Sequence, residues 1–242
     1  MAILLLLIIH WYASLFFQSV FHHRYAAHGL FTMSRGWERT FFVGCFITQG
    51  SSYISAHTYG IMHRLHHAHT DKEDDPHSPE NTPNLFAMMW DTRNNYRDIH
   101  TGKTEVAEKF KKGLPEWFSF DRFAHSAVTK IGWIVVYVLL YCLLATQWWM
   151  FLFLPFTLLM GAFQGAVVNW WAHRFGYENF SMDNTSKNIL PVDVLFWGEA
   201  YHNNHHRYPS APNNARRWFE FDMGYMAMRL LHGLKVIKLK GK

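Results

Sequence analysis

Histidines at metal-binding spacing are the feature of this sequence most able to do chemistry. The run His63-Arg-Leu-His66-His67 contains two imidazoles four residues apart, His63 and His67, which share one face of a helix. His66 directly precedes His67 and therefore points about 100° away from it around the helix. A helix with this pattern suits two metal ions, one on each flank, although a basic surface helix with scattered histidines would have the same appearance.

Three further segments have the same character, and together they make chance spacing a poor explanation. The run His202-Asn-Asn-His205-His206 repeats the first spacing, and Asn169-Trp-Trp-Ala-His173 places an amide and an imidazole four residues apart. The run His23-Arg-Tyr-Ala-Ala-His28 adds two imidazoles, so nine of the 17 histidines lie in these segments. We number the four histidine boxes in chain order and predict that they bind metal. Four histidines off this spacing are not expected to be ligands: His69, His77, His100 and His125.

Composition argues against several other functions. The two cysteines, Cys45 and Cys142, lie in apolar surroundings without a C-x-x-C motif, so we predict buried, unpaired thiols. The net charge is +5 and the isoelectric point is near 9.2, but only the lysines near the carboxyl terminus form a basic run. A basic face beside anionic lipid is therefore expected, and no nucleic-acid partner.

Membrane helices are the elements that must position the boxes. Half of the 242 residues are hydrophobic, yet the mean hydropathy is only −0.11, because the charges are confined to residues 24–130 and 174–242. Residues 1–21 are uncharged and would form a helix about 31 Å long, enough for one span. A signal peptide is the competing interpretation, but no basic segment or small-residue cleavage site is present. Arg24, Arg35 and Arg39 follow the span and predict that its carboxyl end is cytoplasmic.

Two later uncharged stretches differ in their expected course. Residues 40–62 could pass for a span, but a crossing there would put the first two boxes on opposite faces of the membrane, so we predict an interfacial or buried helix. Residues 131–172 would form a helix about 63 Å long, too long for one crossing, and must fold back near residues 146–149. The predicted spans are therefore 1–21, 131–146 and 150–172, with all four boxes on the cytoplasmic side.

The remaining segments are predicted to form a polar cap. Residues 70–113 are loop-rich, and the acidic residues beside box two could orient its imidazoles or simply be solvated: Asp71, Glu73, Asp74 and Asp75. Residues 225–239 have the pattern of an amphipathic helix lying on the membrane surface. The sequence thus predicts an all-α integral membrane protein with a single domain over residues 1–242. It would have about three transmembrane helices, one followed by a hairpin, with interfacial helices and a cytoplasmic cap carrying the histidine-rich site.

The four boxes resemble those of the membrane-bound fatty acid desaturases, specifically the stearoyl-CoA (acyl-CoA Δ9) desaturase type. The matching segments are HRYAAH, HRLHHAHTD, NWWAH and GEAYHNNHH, which extend from box one almost to the carboxyl terminus. The resemblance implies an oxygen-dependent enzyme with two iron ions that places a cis double bond, expected at Δ9, in a saturated acyl chain. Matched position by position, it implies that one iron binds His23, His28, His63, His67 and His205. The other would bind His66, His173, His202 and His206, with Asn169 acting through a water.

The resemblance also implies partners and a substrate site. The family usually has two spans before box one, where this sequence has room for one. No cytochrome b5-like domain is fused, so we expect a separate electron donor, cytochrome b5-, ferredoxin- or rubredoxin-like, with its reductase. The acyl chain would be a CoA thioester or part of a membrane lipid, with O2 as co-substrate. In the family the helix before box one helps to close the acyl tunnel. Here Trp11 and Leu15 lie four apart on one face of it, and ordinary packing explains them equally well.

Two other functions are compatible with such boxes. A di-iron membrane hydroxylase of alkyl or acyl chains shares histidine boxes, but the paired H-x-x-H-H boxes with N-x-x-x-H favour desaturation. A non-enzymatic metal-binding or transporting membrane protein would need polar residues along a path, and these spans contain few besides His10 and Gln164. Imidazole also binds zinc, so ligand type alone does not choose iron, but nine histidines without a thiolate exceed what structural zinc needs.

Overall fold

The computed structural model of the protein describes residues 1–240, and most of them are helical. The α-helices are α1 (Ala2–Phe17), α2 (Arg35–Gln49), α3 (Ala56–His69), α4 (Leu85–His100), α5 (Glu108–Lys111), α6 (Phe118–Ala124), α7 (Ala127–Leu144), α8 (Leu154–Leu158), α9 (Met160–Asn169), α10 (His202–Arg207) and α11 (Met223–Gly233). A π-helix (Gln18–Ala27) continues α1, and short 3-10 turns occupy Gly50–Ser52, Pro79–Asn81, Trp148–Phe153 and Trp171–His173. Two short antiparallel strands, β1 (Phe31–Met33) and β2 (Ile237–Leu239), pair with Phe31 opposite Leu239.

The first span and box one belong to a single helical unit. α1 and the π-helix together run from Ala2 to Ala27 and are long and apolar enough to cross a membrane. The unit therefore extends to Ala27 rather than ending at Phe21. Its last turns are buried by the rest of the protein, which compensates for their lower hydrophobicity. Box one consequently begins on the same continuous helical unit that is long and apolar enough to span a membrane.

The segment predicted as one interfacial or buried helix over residues 40–62 is two helices joined by a tight reversal. α2 packs against α1, with no room for a side chain at Gly44 beside the Phe17 ring. It ends at Gln49, and the positive φ of 54° at the following Gly50 reverses the chain next to Tyr137 of α7. α3 then returns toward the histidine boxes. Residues 35–69 therefore extend as far as the middle of α7 and then reverse direction. The single-helix prediction was wrong because one glycine allows this reversal.

Polar groups at the reversal are satisfied inside the protein. The Ser51 and Ser52 hydroxyls donate to the carbonyl oxygen of Leu158, at 2.7 and 2.9 Å. The Gln49 amide donates to the Gln18 side chain at 3.1 Å. Non-helical backbone is tolerated at membrane depth only where it is buried in protein. These contacts explain how polar residues that are poor for lipid exposure are accommodated here.

The predicted hairpin has one straight arm and one bent arm. α7 forms the first arm over residues 127–144, close to the predicted 131–146. The second arm, predicted as one span over residues 150–172, is bent by 62° between Trp148–Leu158 and Met160–His173. The bend lies where the Leu158 carbonyl accepts the serine hydroxyls, and α9 packs close to Ser52 at Gly161. Within residues 1–240, length and composition support two spanning helices, or three if the bent arm is one span.

Two smaller predictions also change. α11 ends at Gly233, and residues 237–239 form β2, so the predicted helix over residues 225–239 was too long. The strand forms because residues 31–33 offer backbone partners that sequence periodicity does not show. Both thiols are free, but only Cys45 is buried, because Cys142 lies on an outward face of α7 that lipid would cover.

Candidate metal centre

A π-helix brings the two histidines of box one together. Residues five apart on an α-helix point about 140° away from each other, whereas the wider π-turn, with i→i+5 hydrogen bonds, returns them to the same side. His23 lies in the π-helix and His28 directly follows it. Their ring centroids are 4.8 Å apart. This local widening, and not the sequence spacing alone, makes the two imidazoles neighbours.

Five histidines from three boxes form what we name the first cluster. His23 Nε2 lies 3.0 Å from His205 Nε2, and His28 Nε2 lies 2.9 Å from His63 Nε2. His67 Nε2 is 3.0 Å from His63 Nε2 and 2.8 Å from His205 Nε2. The possible ligand atoms of all five lie within 4.8 Å of one another. The first cluster is His23, His28, His63, His67 and His205.

Four histidines form the second cluster beside it. His66 Nε2 lies 3.2 Å from His206 Nε2, and His202 Nε2 lies 3.0 Å from both His173 and His206. Its members are His66, His173, His202 and His206. The two clusters touch where the His67 ring stacks on the His206 ring, with centroids 4.6 Å apart. Their membership is the same as that of the two histidine sets implied by the resemblance, and the binding of metal by these sets stays a prediction.

Carboxylates lie close to the Nδ1 atoms of three of these rings. Glu199 Oε2 lies 2.6 Å from His23 Nδ1, and Asp75 accepts from His66 Nδ1 at 2.9 Å. Asp71 lies 3.6 Å from His173 Nδ1, which also contacts the Thr185 hydroxyl at 3.1 Å. An acceptor at Nδ1 keeps the proton there and turns an unprotonated Nε2 toward the cluster. Lone pairs facing one another at about 3 Å repel unless a cation lies between them, so this donor set fits two metal ions.

Burial favours the neutral, ligating form of the imidazoles. It lowers the pKa of His66 to about 3. Burial, followed by the charge of neighbouring histidines, also lowers the pKa well below the usual value for six others: His28, His63, His67, His202, His205 and His206. Neutral nitrogen donors are what a metal ion needs near neutral pH.

The other predicted site residues lie in different surroundings. Asn169 ends α9, is half-buried, and has no side-chain hydrogen bond to any of residues 1–240. Trp11 donates its indole N–H to the Leu195 carbonyl at 2.9 Å, and its ring contacts Phe196 edge-on. Leu15 is buried, with 1% of its surface exposed.

Histidines off the box spacing divide into two groups. His77 is buried and stacks on His66 with centroids 4.4 Å apart, and with Asp75 the two form a third group that could hold a metal. His100 and His125 stack on each other at 4.2 Å and belong to none of these groups. His69 also lies outside them. In the sequence, the only indication that His77 lies near box two is its position two residues after Asp75.

Sequence reasoning also missed a buried ionic network behind the first cluster. Arg24 lies 3.7 Å from Glu199 and donates to both carboxylate oxygens of Asp222, at 2.9 and 3.0 Å. Burial alone would raise the pKa of Glu199, but the adjacent His23 and Arg24 and a 2.5 Å hydrogen bond from Ser19 hold it below its usual value. An ionised Glu199 is therefore available to His23. The sequence shows that Glu199 lies just before box four, but it does not show that Glu199 contacts His23 and Arg24 of box one.

The fold is mostly helical, with helices long and apolar enough to span a membrane, and it brings together two adjoining histidine clusters that could hold metal. Residues 1–221 match the sequence model of the fatty acid desaturase family. The chain belongs to that family, and family membership places it among the oxidoreductases.

Individual relatives are similar over most of the chain. An sn-2 palmitoyl-lipid 9-desaturase from Nostoc sp. (strain 36) is 26% identical, covering 97% of this chain and 79% of its own length. Delta-9 acyl-lipid desaturase 1 from Arabidopsis thaliana is 25% identical, covering 88% of this chain and 67% of its own length. A hex-5-enoyl-[acyl-carrier protein] acetylenase from Moorena producens (strain JHB) is 28% identical over 97% of this chain and 74% of its own length.

Proposed function

We propose that this protein is an oxygen-dependent di-iron desaturase that places a cis double bond, expected at Δ9, in a saturated acyl chain. The observation that supports this best is the division of adjacent residues between two touching clusters. His66 belongs to the second cluster and His67 to the first, so one helix serves both. Two adjoining sites of neutral nitrogen donors suit a pair of irons that act on one substrate.

The proposed ligands are the nine clustered histidines, with Asn169 acting on the second site through a water. Two irons bound there would supply, with O2, the oxidising power to remove one hydrogen from each of two neighbouring methylenes. Reducing O2 to two waters in this reaction also needs two protons from solvent and two electrons, which a separate donor protein would deliver. The chain's own residues hold the rings: Glu199 orients His23, Asp75 orients His66, and the burial of these groups excludes water.

We also propose that the acyl chain ends near α1. Leu15 lies inside the protein, and Trp11 is fixed by the loop that precedes box four. Bulky side chains at these positions would limit the length of an acyl chain reaching them. Arg35 and Arg39, which follow the first helical unit, support a cytoplasmic active site.

The acyl carrier stays a prediction. The resemblance of the boxes favours a CoA thioester. The relatives from Nostoc and Arabidopsis are described as acting on lipid-linked chains and the one from Moorena on a carrier-protein-linked chain. A saturated acyl chain linked to any of the three carriers would present the same methylene groups to the clusters. Assays with each carrier can therefore distinguish them without changing the proposed chemistry.

Product analysis in a host that lacks its own desaturase tests this function. We expect cis-monounsaturated fatty acids, and gas chromatography with mass spectrometry after derivatising the double bond would give its position. A His66→Ala variant in the same host is the control and should yield none. Hydroxy fatty acids or alcohols as the main product, lost in the same variant, would instead establish a hydroxylase. Supplying the purified enzyme with CoA-, carrier-protein- and lipid-linked chains then identifies the carrier.

A further inference from the structure

A groove lined by cationic and aromatic side chains lies where the carboxyl-terminal segment, α11 and β2, meets the start of α2. Its volume is about 490 Å³, and residues of both β1 and β2 line it. Its lining residues include the exposed Lys235 and Lys238, together with His232 and Trp37. The groove is separate from both histidine clusters and has no part in the proposed reaction.

The positive charge of this groove has no counterpart in the protein. No acidic residue lines the groove, and within residues 1–240 neither Lys235 nor Lys238 forms an ion pair. Glu38, next to Trp37 in the sequence, instead accepts a hydrogen bond from the Tyr25 hydroxyl at 2.5 Å. Two exposed ammonium groups facing one groove without a carboxylate are a site for an anion.

Apolar side chains are exposed beside these charges. Met226, Leu230 and Leu234 follow one another at intervals of four along α11 and just beyond it, with 47%, 64% and 64% of their surfaces exposed. The opposite face of the helix is buried at Gly224 and Met228. Exposed leucines between cations do not suit an acidic protein surface, whereas a helix with this pattern lies in a lipid–water interface.

The groove is also continuous with surface that lipid would cover. Trp37, in the first turn of α2, lines the groove and is 42% exposed, and α2 then runs along α1 toward the middle of the spans. On its outer side Val43 and Ile47 are exposed, so apolar surface extends from the groove along α2. Tryptophan is enriched at such boundaries, because its ring is apolar and its N–H is polar. The groove therefore lies at the level where phospholipid headgroups begin.

The geometry points to a binding site for the headgroup phosphate of an anionic phospholipid. Lys235 and Lys238 contact the phosphate, Trp37 packs beside the glycerol region, and the acyl chains lie along Leu230 and Leu234. Such a lipid would attach the carboxyl-terminal segment, α11 and β2, to the membrane on the side of the histidine clusters. This site is independent of the proposed desaturation and can be tested without an activity assay.

Native mass spectrometry of the detergent-purified full chain, titrated with phosphatidylglycerol, tests the site. The Lys235→Gln/Lys238→Gln variant should bind roughly 25-fold more weakly, because each lysine beside an anionic surface strengthens binding about fivefold. Lys109→Gln/Lys112→Gln is the matched control, since it removes two exposed lysines elsewhere and should retain wild-type affinity. Phosphatidylcholine should bind weakly and equally to all three proteins. An unchanged melting temperature and metal content would show that the variant is folded, and the Lys238→Gln single variant repeats the test if it is not.

Several results would overturn this assignment. Equal loss of binding in the control variant would reveal a general charge effect rather than a site. Displacement of phosphatidylglycerol by inorganic phosphate or glycerophosphate at equal concentration would reveal a site for a free anion. Unchanged lipid binding in the double variant, with lost binding of an acidic electron-donor protein, would make the groove a protein-docking surface. A Leu230→Ser/Leu234→Ser variant with wild-type lipid affinity would exclude the acyl-chain contact.

Discussion

Arg24 and Asp222 form a buried ion pair that joins the two ends of the chain behind the first cluster. The Arg24 Nη2 atom lies 2.9 and 3.0 Å from the two carboxylate oxygens of Asp222, across 198 positions in sequence. Asp222 also caps α11 by accepting the Tyr225 amide, so it links box one to the start of the carboxyl-terminal helix. A side chain at Gly198 or Gly224 would collide with this pair, which explains the glycines at both positions.

Asp222→Asn should destabilise the protein strongly. Removing one partner of a buried ion pair leaves an uncompensated charge, at a cost of about 3–5 kcal/mol. Thermal denaturation in detergent would measure the change as a lowered melting temperature. Asp98→Asn is the control, because Asp98 pairs with Arg97 and Lys103 at the surface, where ion pairs contribute little. A melting temperature for Asp222→Asn equal to that of the control would show that Arg24 finds another partner.

Glu199→Gln should weaken metal binding while leaving the fold intact. The amide keeps the shape of the side chain but loses the charge that orients His23, and such changes typically cost about 10–100-fold in metal affinity or activity. Metal retained after dialysis, measured by mass spectrometry, is the readout beside desaturation. Glu178→Gln, which removes a surface carboxylate paired with Lys187, should behave as wild type. Full metal retention in Glu199→Gln would exclude a positioning role.

His66→Ala and His205→Ala should each abolish activity, because each removes a proposed ligand from a different cluster. Wild-type protein is expected to hold two iron ions per chain, and each variant should hold fewer. His69→Ala should be mild. His125→Ala should also retain activity, although its hydrogen bond to Tyr96 predicts a lower melting temperature. If either control lost metal as completely as the cluster variants, the ligand set would have to be redrawn.

Cysteine labelling from outside the membrane tests the proposed orientation. In a background without Cys142, which is already exposed, we expect labelling at Gln147→Cys but not at Lys72→Cys or Lys187→Cys. The reversal at Gly50 is the physical reason, since it returns α3 to the side from which α2 entered. Outside labelling at Lys72→Cys would mean that residues 35–69 cross the membrane. A permeabilised sample labelled at all three positions controls for accessibility.

Leu15→Ala should shift the preferred substrate toward longer saturated chains. The smaller side chain would open space on the buried face of α1, where the acyl chain is proposed to end. Competition among saturated substrates of graded length, read by gas chromatography, would reveal the shift. Leu5→Ala on the exposed face of the same helix is the control and should leave the profile unchanged. An unchanged profile in Leu15→Ala with activity intact would assign Leu15 to packing.

The sequence by itself predicted the helical membrane class, the fold-back within residues 131–172 and the separation of His66 from His67, whereas the full grouping of the box histidines came from the family resemblance. These features are local. Uncharged length predicts spans, and the 100° rotation per residue separates His66 from His67 on one helix. The acidic residues Asp71 and Asp75 also lie close enough in sequence to box two to be suspected as its supports.

Only the tertiary structure decided features that depend on contacts between distant segments. The π-helix that unites His23 and His28 is stabilised by its burial among other elements, which spacing does not reveal. The bend lies near Leu158, where the hydroxyls of Ser51 and Ser52, from another segment, donate hydrogen bonds to the Leu158 carbonyl oxygen. Glu199 and Asp222 contact His23 and Arg24 of box one only in the folded protein, because they are far from box one in sequence. Hydrogen bonds and ion pairs of this kind have no periodic signature, because their partners are fixed by packing and not by neighbours in sequence.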